Sequence, residues 1–305
     1  MDESRGPSIE QLRVFAAVAD AGSFTVAAER LGRAQSVISY TIANLEAALG
    51  VSVFERARRK PVLTEAGQSL LGDARRVETL MRDMQARARG MRQGLEAEVA
   101  LVVDVMYPID RLTEALEAFA EAFPTVSLNL RVEVLGGVRQ QVQDGAATFG
   151  ISGPASAWPD TLVPRGIGAL TLVSVAAPHH PLAQCVGEIP TSVLREHIQL
   201  VLTDRSRLTE GQRFGVHASR VWRIGDLGAK HRLLLAGLGW GNMPYHMVQA
   251  DLAAGRLVRL LPADRNAVFY WLTLIHRADT TLGPAASWLA ARIAAQTLDG
   301  GQAEP

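Results

Sequence analysis

Five uncharged polar side chains crowd one side of a short segment: Gln35, Ser36, Ser39, Tyr40 and Asn44. Amides and hydroxyls of this kind can pair with the donor and acceptor edges of bases in a DNA major groove. The same segment carries Ile38, Ile42, Leu45 and Leu49 at i, i+4, i+7 and i+11, the stripe of a helix with one buried face. An exposed helical face of amides and hydroxyls, without Lys or Glu, is unusual on a protein surface. The stripe alone fits any amphipathic helical hairpin equally well.

A tight turn precedes that helix. Phe24, Ala27, Ala28 and Leu31 form the inward side of a shorter helix, and Gly32 is placed to end it in a left-handed conformation. Ser23 and Thr25, at the start of this helix, are further candidates for polar contact with DNA. Two short helices around a turn, the second presenting polar groups, follow helix-turn-helix grammar. Downstream, Val51–Phe54 and Pro61–Leu63 are β-prone and enclose the cations Arg56, Arg58, Arg59 and Lys60. This predicts a small hairpin, or wing, whose tip can reach phosphates or a minor groove.

From Leu12 to Leu71 the chain resembles the N-terminal domain of LysR-type transcriptional regulators. The residues that carry the resemblance are Phe15, Gly22-Ser23-Phe24, Ala27-Ala28, Leu31-Gly32, Gln35-Ser36, Ser39, Ile42, Leu45-Glu46, Leu49-Gly50, Phe54, Arg56 and the run Leu63 to Gly67. The resemblance implies sequence-specific binding to double-stranded DNA, a homo-oligomer (dimer or tetramer), a small-molecule effector, contact with RNA polymerase and no enzymatic activity. Two positions depart from the family pattern. Ala34 stands where a Ser or Thr caps the recognition helix, a loss of about 1 kcal/mol of local stability. Tyr40 stands where the family often has Arg, which removes one cation from the DNA face.

Bulk properties fit a two-part protein of the cytoplasm. At 305 residues and 48% hydrophobic content the chain can build two cores. The first residues, MDESRGPSIEQ, lack a basic and apolar leader, so no secretory signal is expected. No run approaches the roughly 20 apolar residues of a membrane span. The single cysteine, Cys185, precludes an internal disulfide. Charge is balanced overall but divided: residues 1–94 hold 14 basic and 11 acidic side chains, and residues 95–305 hold 17 and 20. The N-terminal part is therefore the side suited to a polyanion. Lys60 and Lys230 are the only lysines; every other cation is Arg.

Thr64 to about Arg92 reads as one long helix, with Thr64 as N-cap and Glu65 in the first turn. Leu70, Ala74, Val77, Met81, Met84, Ala88 and Met91 alternate at spacings of four and three, a heptad seam bordered by polar residues. Such a seam can pack on its own chain or pair with a copy of itself. The family resemblance implies the second: a dimerisation helix that presents two helix-turn-helix units to a two-fold site.

Beyond residue 97 strands alternate with helices. Val99–Val103, Val126–Val132 and Thr148–Ile151 read as strands, separated by a helix from Arg111 to Phe123 and another opening at Gly136-Gly137. A second series holds strands at Leu170–Val175, Ile198–Leu202 and Val268–Ile275, with helices at Leu233–Leu238 and Pro284–Leu298. The alternation predicts α/β architecture with mostly parallel sheets. The region resembles the effector-binding domain of the same family through Ala118-Phe119, Phe123-Pro124, Pro178–Leu182 and Ala236–Pro244. The resemblance implies a two-subdomain, periplasmic-binding-protein-like body. The expected organisation is an all-α winged helix-turn-helix domain over residues 1–63 and a linker or dimerisation helix over 64–93. Effector subdomain I would take 94–165 and 266–305, and subdomain II 166–265, with crossings at Pro164–Gly168 and Leu261–Asn266.

In this architecture a ligand cleft lies at strand C-termini and helix N-termini. By position its lining should include Met106, Tyr107, Gly136, Gly137, Ser152, Thr203, Asp204, Asp226, Trp240 and Asn242. Glycine at a helix start lets a ligand approach free N–H groups, which favour an anion. Thr203 offers a hydroxyl from the opposite side, and Asp204 is expected to cap the next helix or order Arg205. The expected effector therefore carries an acidic group. No metal or cofactor is expected: His179-His180 precede Pro181 in a turn, and no zinc spacing, Walker A loop or GxGxxG occurs. No Ser-His-Asp or Cys-His spacing marks catalytic residues. The alternative is a cytoplasmic solute-binding protein or α/β enzyme with a helical dimerisation module. The missing leader and the missing nucleophile set weigh against it.

Overall fold

The computed structural model describes residues 6–55, 60–92, 94–204, 206–209, 215–263 and 268–298. The chain divides after Arg92 into two units. In the first, α1 (Ile9–Ala21), α2 (Phe24–Leu31) and α3 (Gln35–Leu49) precede the long α4 (Glu65–Arg92). Ser8 opens α1 with a capping box: its hydroxyl accepts from Gln11 N, and its own N–H donates to Gln11 Oε1 at 2.7 Å. Ala34 stands at the N-cap of α3 without a side-chain hydrogen bond, so that first turn lacks a cap.

The core of this unit joins Val14, Phe15 and Val18 to Ala27, Ala28, Ile38, Ile42 and Leu45. Phe54 packs edge-on against Phe15 and Phe24, with ring centroids 5.6 and 5.7 Å away. Phe54 also pairs with Leu63 in an antiparallel bridge, and Glu55 N donates to Val62 O at 2.8 Å. These bonds form the base of the expected wing; Arg56, Arg58 and Arg59 lie outside the described residues. Thr64 caps α4, accepting from Gly67 N at 2.9 Å and donating to Ser52 O at 2.6 Å. A Cβ on Gly67 would lie 2.1 Å from Val53 O, so α4 crosses the wing strand at a distance only glycine permits. Leu70 and Ala74 then pack into the core, Ala74 at 1% exposure. The first two positions of the heptad seam are thus taken up within the chain's own fold, because α4 lies along α1.

The second unit is a mixed α/β body. β1 (Glu98–Asp104), β2 (Ser127–Glu133) and β3 (Phe149–Ser152) run parallel, with α5 (Ile109–Ala122) and α6 (Gly136–Gln143) as crossovers. There follow β4 (Leu162–Ala176), α7 (Thr191–Glu196), β5 (Gln199–Leu202), β6 (Val221–Ile224) and α8 (Leu227–Leu235). The chain continues through β7 (Gly241–Pro244), α9 (Tyr245–Ala253), β8 (Val258–Leu260), β9 (Val268–Arg277) and α10 (Pro284–Ala294). A seven-stranded sheet has the order β2-β1-β3-β9-β4-β7, with β8 also on β4, while β5 and β6 form a separate parallel pair. The expectation of mostly parallel sheets is corrected: β9 is antiparallel to β3 and β4, and β7 and β8 are antiparallel to β4. A chain that leaves one half along β4 and returns along β9 must run those strands in opposite directions.

β4 and β9 stay paired from Leu162 opposite Arg277 to Leu172 opposite Val268, with a register shift between Gly166 and Gly168. Gly168 has φ 130°, a conformation open to glycine. The first expected crossing, Pro164–Gly168, falls on this irregularity. The sequence places the second at Leu261–Asn266. Leu261 O and Ala263 N instead bond Ile189, within the second half, and Asn266 lies outside the described residues. The returning strand is β9, which places Thr273 opposite Gly166.

α10 packs on α5 through Phe119, Phe123 and Trp288. Glu96 caps its first turn, accepting from Ala285 N and Ala286 N, each at 3.0 Å. The helix read at Leu233–Leu238 begins earlier, at Leu227, and α10 stops at Ala294. Among the described residues no helix is long and apolar enough to cross a membrane.

Candidate functional site

α3 turns Ile38, Ile42 and Leu45 inward, which fixes its opposite face outward. Gln35, Ser36, Ser39 and Tyr40 are exposed, and Asn44 is half-buried. Val37 lies exposed in the same patch; the sequence reading passes over it, although its methyls suit contact with a thymine methyl. Thr25 is exposed on α2, while Ser23 is engaged as the α2 N-cap, accepting from Val26 N at 3.4 Å. Glu46 ties α3 to the wing base, accepting from Val53 N at 2.7 Å and Phe54 N at 3.2 Å. Lys60 is exposed at the far side of the wing. One helix therefore offers amide, hydroxyl and apolar groups, and the adjoining hairpin offers a cation.

Along α4, Val77 and Met81 are half-buried, whereas Met84, Ala88 and Met91 are exposed. Leu80, which lies off the heptad seam, is 63% exposed. The apolar surface still uncovered on this helix thus sits in its later turns.

In the second unit a cavity of about 320 Å³ opens where the two halves meet. Met106, Leu135 and Pro154 line it from one half, and Gln199, Leu200, Leu202, Lys230 and Asn242 from the other. Val268, Phe269 and Tyr270 of β9 complete the wall. Of the residues expected to line a cleft, Met106 and Asn242 reach this cavity. Gly137, Thr203 and Asp204 line a separate polar cavity of about 400 Å³ with Glu133 and Asp144. Gly136 and Ser152 border a cleft of about 20 Å³.

Three further expected lining residues are engaged in other contacts. Tyr107 is buried and donates its hydroxyl to Gln296 Oε1 at 2.7 Å. Trp240 is fully buried, with Nε1 donating to Leu194 O at 3.3 Å. Asp226 caps α8, accepting from Ala229 N at 2.6 Å. The start of α6 is closed as well. A Cβ on Gly136 would meet Thr209 Cγ2 at 2.8 Å and Asp204 Oδ2 at 3.1 Å, and one on Gly137 would meet Glu133 Oε2 at 2.9 Å. The protein's own carboxylates already face the positive end of this helix. Asp204 accepts from the Thr209 hydroxyl, and Arg205, expected to be ordered by it, lies outside the described residues.

Behind the cavity wall Asp104 is 1% exposed. It accepts from Met106 N at 2.9 Å, Leu135 N at 3.2 Å and the Tyr270 hydroxyl at 2.8 Å. Burial pushes its carboxyl up to about 6, against the opposing pull of these hydrogen bonds. Leu135 has φ 49°, the sole positive value at a non-glycine among the described residues, and its bond to Asp104 holds it there. Lys230 is 3% exposed and donates Nζ to Asn242 O at 2.6 Å. Burial pushes its ammonium down to about 8. Sequence reading missed Asp104, Leu135 and Lys230. The available signals were an Asp ending an apolar strand and one of two lysines in an arginine-rich chain.

The chain matches the family described as "Bacterial regulatory helix-turn-helix protein, lysR family" over residues 9–68, and "LysR substrate binding domain" over residues 92–297. The probable HTH-type transcriptional regulator YhaJ of Escherichia coli is 30% identical over 292 residues, covering 94% of this chain and 96% of that protein. The HTH-type transcriptional regulator PunR of Escherichia coli is 32% identical over 252 residues, covering 82% and 81%. Among solved structures, a cysteine mutant of OxyR from Corynebacterium glutamicum has a TM-score of 0.56 at 22% identity, over 96% of this chain and 94% of that one, a likeness of fold.

Proposed function

This chain belongs to the LysR family of transcriptional regulators, and on that premise we propose how its residues divide the work. The protein is a DNA-binding regulator with an effector-binding domain. In our reading Gln35, Ser36, Ser39 and Tyr40 meet base edges, with Thr25 and Asn44 at the margins of that contact. Ser23 contributes by fixing the start of α2. Lys60, with Arg56, Arg58 and Arg59, neutralises phosphates. The exposed later turns of α4, at Leu80, Met84 and Met91, pair with a second copy. The protein works in the cytoplasm, where its DNA and RNA polymerase are.

The observation that carries the DNA reading is the uncharged polar face of α3, set beside a wing base held by Glu46. The test is a gel shift on the DNA upstream of the protein's own gene, against scrambled DNA at one fixed salt. Equal affinity for both would leave the α3 face without a reading role.

We place a small organic acid in the 320 Å³ cavity as effector. The cation Lys230 in its wall supports this placement, and the carboxylates around the start of α6 weigh against the site first expected there. The β4–β9 pairing favours a subdomain I of residues 94–166 and 273–298, with subdomain II between. A thermal-shift panel of organic acids and neutral compounds tests the chemistry; stabilisation by neutral compounds alone would refute it.

A further inference from the structure

Lys230 is a buried ammonium without a counter-ion among the described residues. Its Nζ has three N–H donors, and among the described residues it donates to the Asn242 carbonyl. Among the described residues lining the cavity none is acidic. A buried charge in this state is costly unless something pairs with it.

The neighbouring polar groups are mostly committed. Gln199 Nε2 donates to Gly215 O at 2.7 Å, and its Oε1 accepts from His217 N at 2.8 Å and Ala218 N at 3.1 Å. The Tyr270 hydroxyl is spent on Asp104. Asn242 differs. Its Oδ1 accepts from the Ser174 hydroxyl at 2.7 Å, and this bond orients the amide and leaves Nδ2 as a donor. Lys230 and Asn242 thus line the same cavity, joined through the Asn242 carbonyl, and each keeps donor capacity. Apart from His217 and the backbone at Gly215, the rest of the described wall is apolar, with Met106, Leu135, Leu172, Leu202, Val268 and Phe269 its main side chains.

We infer that Lys230 and Asn242 form the seat for the single carboxylate of an apolar monocarboxylic acid, whose body fills the space against β9. This rests on the reading of the cavity as the effector site and names the ligand class for it. One cation balances one carboxylate. Lys230 is the only Lys or Arg among the described lining residues, so a second carboxylate would meet no second ammonium or guanidinium there. The choice of lysine in a chain whose cations are otherwise arginine except at Lys60 fits this: a compact ammonium on a flexible stem enters where a guanidinium fork would need more planar space. Burial holds its ammonium down at about 8, and a carboxylate alongside would raise it again.

The test is calorimetric titration of the full chain with phenylacetate, hexanoate and cyclohexanecarboxylate, each against its primary amide, and with succinate. At least one monocarboxylate should bind wild type tenfold or more tighter than its amide, and tighter than succinate. Lys230→Met should bring that acid-to-amide ratio to about one without lowering the melting temperature of the ligand-free protein. If Lys230→Met does not fold, Asn242→Asp replaces it: an internal carboxylate beside Nζ should abolish acid binding and raise thermal stability. A wild type that prefers no acid over its amide overturns the seat, as does a variant that keeps the preference. Operator binding measured alongside separates the two levels. An acid that shifts operator affinity in wild type and Lys230→Met alike overturns the seat and leaves the effector reading. Lys230-dependent acid binding that never alters operator affinity supports the seat and removes the effector reading.

Discussion

Tyr270 and Asp104, 166 residues apart in sequence, meet at 2.8 Å inside the second unit, where the phenol on β9 donates to the carboxylate that ends β1. The same carboxylate holds Met106 and Leu135, so one buried acid sets three segments of the cavity wall.

That acid makes stability depend on pH. The Asp104 carboxyl titrates at about 6 in the folded chain and near 3.8 when unfolded. The folded state then binds the proton more tightly, so this group adds stability as pH falls through 6, levelling off below about 4. The full swing is on the order of 3 kcal/mol. Unfolding of wild type and Asp104→Asn from pH 8 to pH 4 isolates the effect. Wild type should gain on the variant across that window; parallel profiles would show that Asp104 does not titrate there.

Base reading by Gln35 has a separate signature. An amide at the start of α3 can pair bidentately with adenine. Gln35→Ala should weaken operator binding by about 1–3 kcal/mol and leave scrambled DNA nearly unaffected. Titrations of both DNAs at one salt decide it, and an equal loss on each would reassign Gln35 to the backbone.

The long helix should respond differently along its length. Met84→Glu places a charge on an exposed later turn and should give monomers in ultracentrifugation with the N-terminal unit still folded. Ala74→Glu puts a charge in the core beneath α1 and should unfold that unit, at a cost of several kcal/mol. If Met84→Glu stays fully oligomeric, the later turns of α4 are not the main interface.

Gly67→Ala tests the crossing of α4 over the wing. A methyl 2.1 Å from Val53 O forces backbone apart, and overpacking of this kind costs about 1–3 kcal/mol. The N-terminal unit should melt earlier, and operator affinity should fall because the wing base moves. A melting curve matching wild type would mean that the crossing has slack.

The legible parts of the sequence were those with local periodicity. The stripe Ile38–Ile42–Leu45 emerged buried, and the Gly32 stop emerged left-handed at φ 62°. β1 could be read because Val99–Val103 is a continuous apolar run. β6 and β8 are short and carry Trp222, Arg223 and Arg259 on half-exposed backbones, so they lack both alternation and an apolar run. The cavity was illegible for another reason. Lys230 and Asn242 face it only because Gly241, whose Cβ would lie 2.6 Å from Leu200 O, lets β7 close on β5. At Gly136 the sequence shows a helix start but not the side chains of Asp204, Ser206 and Thr209 that lie against it.

The paired strands β4 and β9 also limit how the second unit can answer a ligand. Both connections between its halves belong to one twisted ribbon, hydrogen-bonded from Leu162–Arg277 to Leu172–Val268. Splaying the halves apart would break ladder bonds, whereas rewinding the ribbon at the Gly166–Gly168 shift would keep them. A paired ribbon of this kind is expected to twist more readily than it splays. A ligand against Val268, Phe269 and Tyr270 presses directly on one of its two strands.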